Sequence, residues 1–353
     1  MMRNLFWIFS AFMAALTLPS CGEPADPVAP DEPEKESLLT LEADKETIYA
    51  NGADAVTFTV RKDGADVTAQ ALITLDGLGL SSNTFTTAKP GKYVFKASYE
   101  GLEAAAKIVE AIEMEAVESQ FDKHVAVWEF TGAWCTFCPS GYSTMNFIVS
   151  KNDRYKDNVH LMAFHSGLSG QDELAIPETD EIMSEMNVGD GFPSFLTDMR
   201  TSGGLSDGTA FRGSLTEAFD EYPAHCGVAV SSTIDGTDVS AVVKVFPEMS
   251  LSYRLSVFIV EDNIKYYQKD GSITHDEYNH RHVVRKIVST SYLGDRLGDL
   301  KAGEEVTKTY GFKADAGWNL ENTYIYALAI DYNGHVNNMN CCKIGAESDY
   351  DRL

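Results

Sequence analysis

The chain has 353 residues, 44% of them hydrophobic, enough for two or three domains with cores of their own. Against 28 lysines and arginines stand 53 aspartates and glutamates, a formal charge of −25. That balance argues against nucleic acid or an anionic membrane surface as partner, since both would be repelled.

The first twenty residues read as an export signal. Met1 to Asn4 carry one positive charge, Arg3, and Leu5 to Leu18 form an unbroken apolar run ended by Pro19. That run is short for a bilayer, which takes about 20 residues. Charged head, apolar middle and small residue at the cut describe a secretory signal. Leu18-Pro19-Ser20-Cys21-Gly22 resembles a lipobox, so residues 1–20 are expected to be removed and Cys21 to carry the lipid that anchors the protein. The alternative is an ordinary signal beside a chance cysteine. Residues 21–37 (CGEPADPVAPDEPEKES) have a proline every third position, many acids and no aromatic ring. Such a segment cannot bury enough apolar surface to fold and reads as an extended tether. Acids close behind the lipidated cysteine resemble signals that send some lipoproteins to the cell surface. The expected location is the outer membrane, facing the periplasm or the outside.

Residues 38–112 read as all-β. LLTLEA, AVTFTVRK, AQALITL, NTFTT, KYVFKASY and AAAKIVEA are separated by turn signals at Asn51-Gly52, Asp63-Gly64 and Pro90-Gly91. Short strands at this spacing predict a small sandwich. LEADKETIYANGADAVTFTV and KPGKYVFKASYEG resemble the opening strands and a late hairpin of bacterial Ig-like domains, which implies a spacer or an adhesive module.

Met114 to Asp122 reads as a short, acidic, helical connection. In residues 113–225 strands and helices then alternate. His124–Phe130, Asn158–His165 and Phe192–Met199 are the expected strands; Pro139–Lys151, Pro177–Asn187 and Thr209–Tyr222 are the expected helices. This alternation predicts a parallel-rich sheet covered on both faces. Residues 226–353 return to strands: GVAVSSTIDG, VSAVVKVFP, YRLSVFIVED, HVVRKIVST, VTKTYGF and YIYALAIDY. A second β-sandwich is expected there. The fold class is therefore multi-domain: sandwich, α/β unit, sandwich.

The strongest chemical signal is GAWCTFCPSG, with Cys135 and Cys138. A cysteine just before a helix is stabilised as thiolate by the free N–H groups of that end. An exposed Cys135 would attack a substrate disulfide and a shielded Cys138 would resolve the mixed disulfide. Pro139 suits an early helical position. Two plainer readings stay open, half of a zinc site and a purely structural disulfide. No metal ligand set and no cofactor are expected. Cys226, Cys341 and Cys342 are either buried thiols or partners in a bridge from Cys226 to one of the other two.

On these residues the stretch from 120 to 225 resembles a thioredoxin fold. That resemblance implies a cis-proline opposite the cysteines, and Pro193, after Phe192 at the start of the third strand, matches it; a trans turn proline is the alternative. It also implies a buried acid that accepts the proton of the resolving cysteine, and Glu129, on the strand before Cys135, matches. Burial would raise its pKa into the useful range; pointing to solvent, it would have no such role. Thr136-Phe137 and Phe192 depart from the usual residues, so Trp134, Phe137 and Phe192 are candidates for a substrate-docking surface of this chain's own.

LSVFIVEDNI, YNHRHVVRKIVS and YIYALAIDYNGHVNN resemble the outer-membrane lipoprotein family named for a twenty-eight-kilodalton member, which joins a thioredoxin-like domain to a β-rich C-terminal domain. His275, His280 and His282 invite a metal site, with His280 and His282 on one strand face, but loop hydrogen bonding accounts for them better. Tyr266, Tyr267, Tyr278 and Tyr332 would suit a carbohydrate or protein surface, or a sandwich rim. Two functions follow. One is thiol–disulfide exchange with exported proteins, by Cys135, Cys138, Pro193 and Glu129. The other is binding of a glycan or host protein, with the two cysteines as a static clip.

Overall fold

The computed structural model of the chain describes residues 38–50, 54–87, 89–113, 118–168, 172–189 and 191–353. The lipobox with Cys21, the tether, the Asn51-Gly52 turn and positions 114–117 of the expected helical connection lie outside them. From 118 to 122 there is no helix; Phe121 instead makes a strand bridge with Arg352.

The N-terminal unit is a sandwich of two sheets. One holds Leu39–Ala43, Val56–Lys62, Ala65–Asp66 and Thr84–Phe85; the other is built on Thr47–Tyr49, Lys107–Ile112, Gly91–Tyr99 and Leu72–Leu75. Strand alternation does the sorting. VTFTVRK turns Val56, Phe58 and Val60 inward and its threonines outward. Phe58 meets Phe95 of the opposite sheet at 4.5 Å between ring centroids.

The rest of the chain is organised by one nine-stranded sheet. Its order is Thr201–Gly204, Ser194–Thr197, Val125–Thr131, Val159–His165, Val283–Ile287, Leu251–Glu261, Thr323–Ile330, Val336–Lys343, with Asp295–Leu300 also beside Leu251–Glu261. Only Val125–Thr131 with Val159–His165, and the latter with Val283–Ile287, run parallel. The expectation of a parallel-rich sheet is corrected here: the other pairs are antiparallel. A parallel neighbour needs a long crossover, and only the helix after Cys138 supplies one between adjacent strands of the first segment. Ala163 pairs with Val283, so one sheet carries strands from both sides of residue 226.

Helices α1 (Cys138–Ser150) and α3 (Thr209–Asp220) cover one face around Met145, Ile148, Phe195, Phe211 and Leu215. Helix α2 (Thr179–Glu185) covers the other, with Ile182 against a cluster that holds Trp128, Phe164, Phe258 and Met339. Covered on both sides, Val125–Thr131 is buried along its whole length, Glu129 and Thr131 included. Beyond it a second sheet, of Val306–Lys313, Asp238–Pro247, Cys226–Asp235 and Glu347–Ser348, packs on the far end of the long one through Val228, Val243, Val257 and Ile325. The architecture is multi-domain and β-rich.

Asn338, on the edge strand Val336–Lys343, ties that strand to the residues leading into Val125–Thr131 and to the second sheet. Its side chain accepts from His124 N and Met339 N, both at 2.9 Å, and donates to Asp122 O at 3.0 Å and Cys226 O at 2.9 Å. All four hydrogen-bonding positions of a buried amide are used, which is what makes its burial affordable.

Candidate functional site

The strand Val125–Thr131 ends on a tight loop, closed by Cys135 N donating to Gly132 O at 2.9 Å. Cys138 is the first residue of α1 and Pro139 the second, where a missing N–H costs nothing. No side chain caps this helix, so its first N–H groups face the loop. Cys135 and Cys138 are joined as a disulfide across a Cα–Cα distance of 5.5 Å. Cys135 was expected at the surface and is not: it is 4% exposed and Cys138 2%, while Phe137 between them stands out at 71%.

Phe192-Pro193 is a cis peptide bond and lies against the same helix. A Cβ on Gly141, three residues past Cys138, would meet Pro193 Cγ at 2.3 Å. Only glycine lets helix and proline approach so closely. Trp134 completes this side, edge-on to Phe192 at 5.1 Å, with its indole N–H donating to Ser166 O at 2.8 Å. Trp134, Phe192 and Pro193 are thus gathered around the cysteine loop, with Phe137 exposed on it.

Glu129 is buried at 3% exposure, and its Oε1 has no hydrogen-bond partner. Desolvation pushes its pKa up to about 8. It lines a cavity of about 20 Å³ together with Cys138, Tyr142, His165, Asn279 and Arg281. His165 donates from Nδ1 to Asp172 at 2.8 Å, and the same Asp172 oxygen accepts from Ala133 N, in the cysteine loop, at 2.7 Å. Burial works to raise the Asp172 pKa, but His165 and these N–H donors outweigh it and hold the carboxyl below its usual range.

The far wall of the site comes from the C-terminal half. Ile264–Asp270 and Ile273–His280 form a hairpin of their own. Buried Gln268 donates to Cys135 O at 3.0 Å and to Gly132 O at 3.3 Å. Lys269 N donates to Ala133 O at 2.8 Å and Gly271 N to Thr136 O at 2.9 Å. This hairpin is absent from the expectations above, although Asp270-Gly271 between two polar–apolar runs is a hairpin signal. His165, Asp172, Tyr142 and Gln268 were likewise missed, since nothing in their local sequence marks them.

The three histidines part company. His280 ends the hairpin, with Nε2 3.2 Å from Tyr267 O and its pKa pushed down to about 4, chiefly by burial. His282 lies beyond the strand at a positive φ of 55° beside Asp262, and His275 faces Asp270 at 3.6 Å. His280 and His282 therefore do not share a strand face. Among the described residues no group of three His, Cys, Asp or Glu side chains is placed to hold a metal. Tyr266, Tyr267 and Tyr278 cluster about His280, whereas Tyr332 stacks on Tyr49 of the N-terminal sandwich at 6.2 Å. Cys226, Cys341 and Cys342 are free thiols.

The family model for outer membrane protein Omp28 matches residues 191–348. That stretch is similar to the Omp28 family. The Omp28 stretch starts just before Phe192-Pro193 and takes in the hairpin, while Cys135, Cys138 and Glu129 precede it. Omp28 is an outer membrane family, consistent with a place for this chain at the outer membrane. Among the described residues no helix is long and apolar enough to cross a membrane. HBP35 of Porphyromonas gingivalis has a similar structure, with a TM-score of 0.56 over 64% of this chain and 77% of that one, at 21% identity. The likeness is one of fold. No curated protein matches the sequence significantly.

Proposed function

We propose that the chain is an outer-membrane lipoprotein, held by lipid on Cys21, whose segment 113–225 is a thioredoxin-like domain that exchanges disulfides with exported proteins. The observation that carries this reading is Glu129. A static clip has no use for a carboxyl buried without a partner, which costs roughly 1–3 kcal/mol. A sulfur that must gain and lose a proton does, and Cys138 lines the same small cavity.

The chemistry runs as follows. A substrate thiolate attacks Cys135 Sγ, the Cys135–Cys138 bond breaks, and Cys138 leaves as a thiolate that takes the proton of Glu129. A second substrate thiolate displaces Cys135, whose departing charge is eased by the start of α1. The substrate is left with a disulfide and the protein with a dithiol, two electrons having passed to the protein. In reverse, Cys138 gives its proton to ionised Glu129 and attacks Cys135 Sγ, releasing the reduced substrate. Below about pH 8 Glu129 holds its proton and favours opening of the disulfide. Pro193 would align the substrate backbone, and Trp134, Phe137 and Phe192 would hold its apolar side chains. The N-terminal sandwich acts as a spacer on the tether.

A second reading, a binding protein for a glycan or host protein with the disulfide as a clip, draws on the 4% exposure of Cys135 and the hairpin's hydrogen bonds to its loop. Two measurements separate them. For an exchanger, a small dithiol reduces the bond within minutes at neutral pH, and Cys138→Ser traps exported proteins as mixed disulfides on Cys135. Failure to reduce short of unfolding, with no trapped partner, would leave the clip.

A further inference from the structure

We infer that Tyr142 and Asn279 are positioning residues that hold one water molecule against Glu129, so that the proton exchanged with Cys138 leaves by way of the C-terminal hairpin. This rests on the exchange reading above and assigns its proton path.

Three residues that line one cavity each carry a buried polar atom without a hydrogen-bond partner: Glu129 Oε1, Tyr142 Oη and Asn279 Oδ1. The cavity, about 20 Å³, has room for water, and an ordered water needs two to four polar partners. The chemistry of the three is complementary. Tyr142 donates its O–H, Asn279 Oδ1 only accepts, and Glu129 does either according to its state. A water accepting from Tyr142 and donating to Asn279 and to ionised Glu129 satisfies all of them.

Each partner is held in place by the fold. Tyr142 is four residues past Cys138 on α1, hence on the same helix face. Burial pushes its pKa up to about 12, so it keeps its proton throughout the working range. Asn279 Nδ2 donates to Asn263 Oδ1 at 3.2 Å, which fixes the amide and leaves Oδ1 without a protein partner. Arg281, exposed and lining the same cavity, marks where it meets solvent. Glu129 and Cys138 come from the segment before residue 226, and Asn279 and Arg281 from the hairpin and its exit after it, so neither segment completes the site alone.

The test is infrared spectroscopy on the full-length oxidised protein, with Glu129→Gln identifying the Glu129 carboxyl band. The titratable and charged groups that share its cavity are Tyr142, His165, Tyr278, His280 and Arg281, with Cys138 held in the disulfide. Of these only Tyr142 is altered in Tyr142→Phe, which removes one oxygen and keeps the ring. The band's pH midpoint is expected to rise by roughly half a unit or more, because the ionised form loses the ordered water. A water O–H band sensitive to H₂¹⁸O is expected in the parent and lost in Tyr142→Phe and in Asn279→Leu. An unmoved midpoint with no such water band would overturn the inference. As no partner takes part, this outcome is independent of whether the disulfide exchanges, which the reduction and trapping experiments read separately.

Discussion

Gln268 donates its side-chain amide to the carbonyl of Cys135, 3.0 Å away and 133 positions earlier in the chain. A residue of the C-terminal half thereby fixes the backbone of the cysteine loop, and the same amide reaches Gly132 O. Gln268→Ala leaves both buried carbonyls without this donor, at a cost of about 1–3 kcal/mol. The expected result in urea unfolding is a lowered midpoint, with faster amide hydrogen exchange confined to residues 132–137 and the hairpin. Unchanged exchange there would mean that the hairpin merely rests on the loop.

Glu129 gives stability a pH dependence of definite sign. Its folded pKa is about 8 against an ordinary 4.5, so across that interval the folded protein holds a proton that the unfolded chain has released. Stability from this group is complete below about pH 4.5 and falls as pH rises toward 8, by at most about 1.4 kcal/mol per unit. Glu129→Gln removes that slope. Unfolding free energies taken across the interval should decline for the parent and stay flatter for the variant; parallel curves would place the Glu129 carboxyl in water.

Much of this site was legible in the sequence because its parts are local. A WCxxCP run before a helical segment, an acid on the preceding strand and an X-Pro at a strand start are each read within ten residues or so. The structure brings Cys138 and Glu129 to one cavity and Pro193 against Gly141 of the same helix. What was not legible is the partner each part finds at long range. Nothing near Gln268 or Asn338 in the chain says that one closes on the cysteine loop and the other on Asp122 and Cys226. The mixed sheet was misread for the same reason. A buried strand is an apolar run whichever way its neighbour runs, and the direction is set by connections that local periodicity does not report.

Two glycines in helices should respond oppositely to alanine. At Gly213 of α3 nothing lies within 4 Å of the added methyl, so the gain in helix propensity acts alone and Gly213→Ala stabilises by about 0.5–1 kcal/mol. At Gly141 the same gain is set against a methyl 2.3 Å from Pro193 Cγ and 2.9 Å from its Cβ. Overpacking costs about 1–3 kcal/mol, and a proline ring closed onto its own backbone has little room to yield. Gly141→Ala is expected to lower the melting temperature and slow reduction of the disulfide by parting the helix from the proline. Equal effects of the two substitutions would show that the Pro193 contact is soft.

The three remaining thiols make the last test, because burial protects each of them in its own way. Cys226 is fully buried, its Sγ 3.4 Å from Asn337 Oδ1, and its pKa is raised by desolvation. Cys341 lies 3.6 Å from His160 Nδ1, and burial pushes its pKa up to about 12; that of Cys342 goes to about 11 for the same reason. With so little thiolate at neutral pH, none should react quickly with iodoacetamide in the folded protein. His160, whose own pKa burial drives down to about 3, stays neutral and offers Cys341 no positive charge to lower its pKa. Intact-mass measurement should therefore find no label on these cysteines in the native state and one on each after denaturation without reductant. Cys135 and Cys138 should be labelled only once their bond is reduced. A bridge from Cys226 to Cys341 or Cys342 would instead leave a single one of the three open to label, and would require the strands that carry them to pair differently from what is seen here.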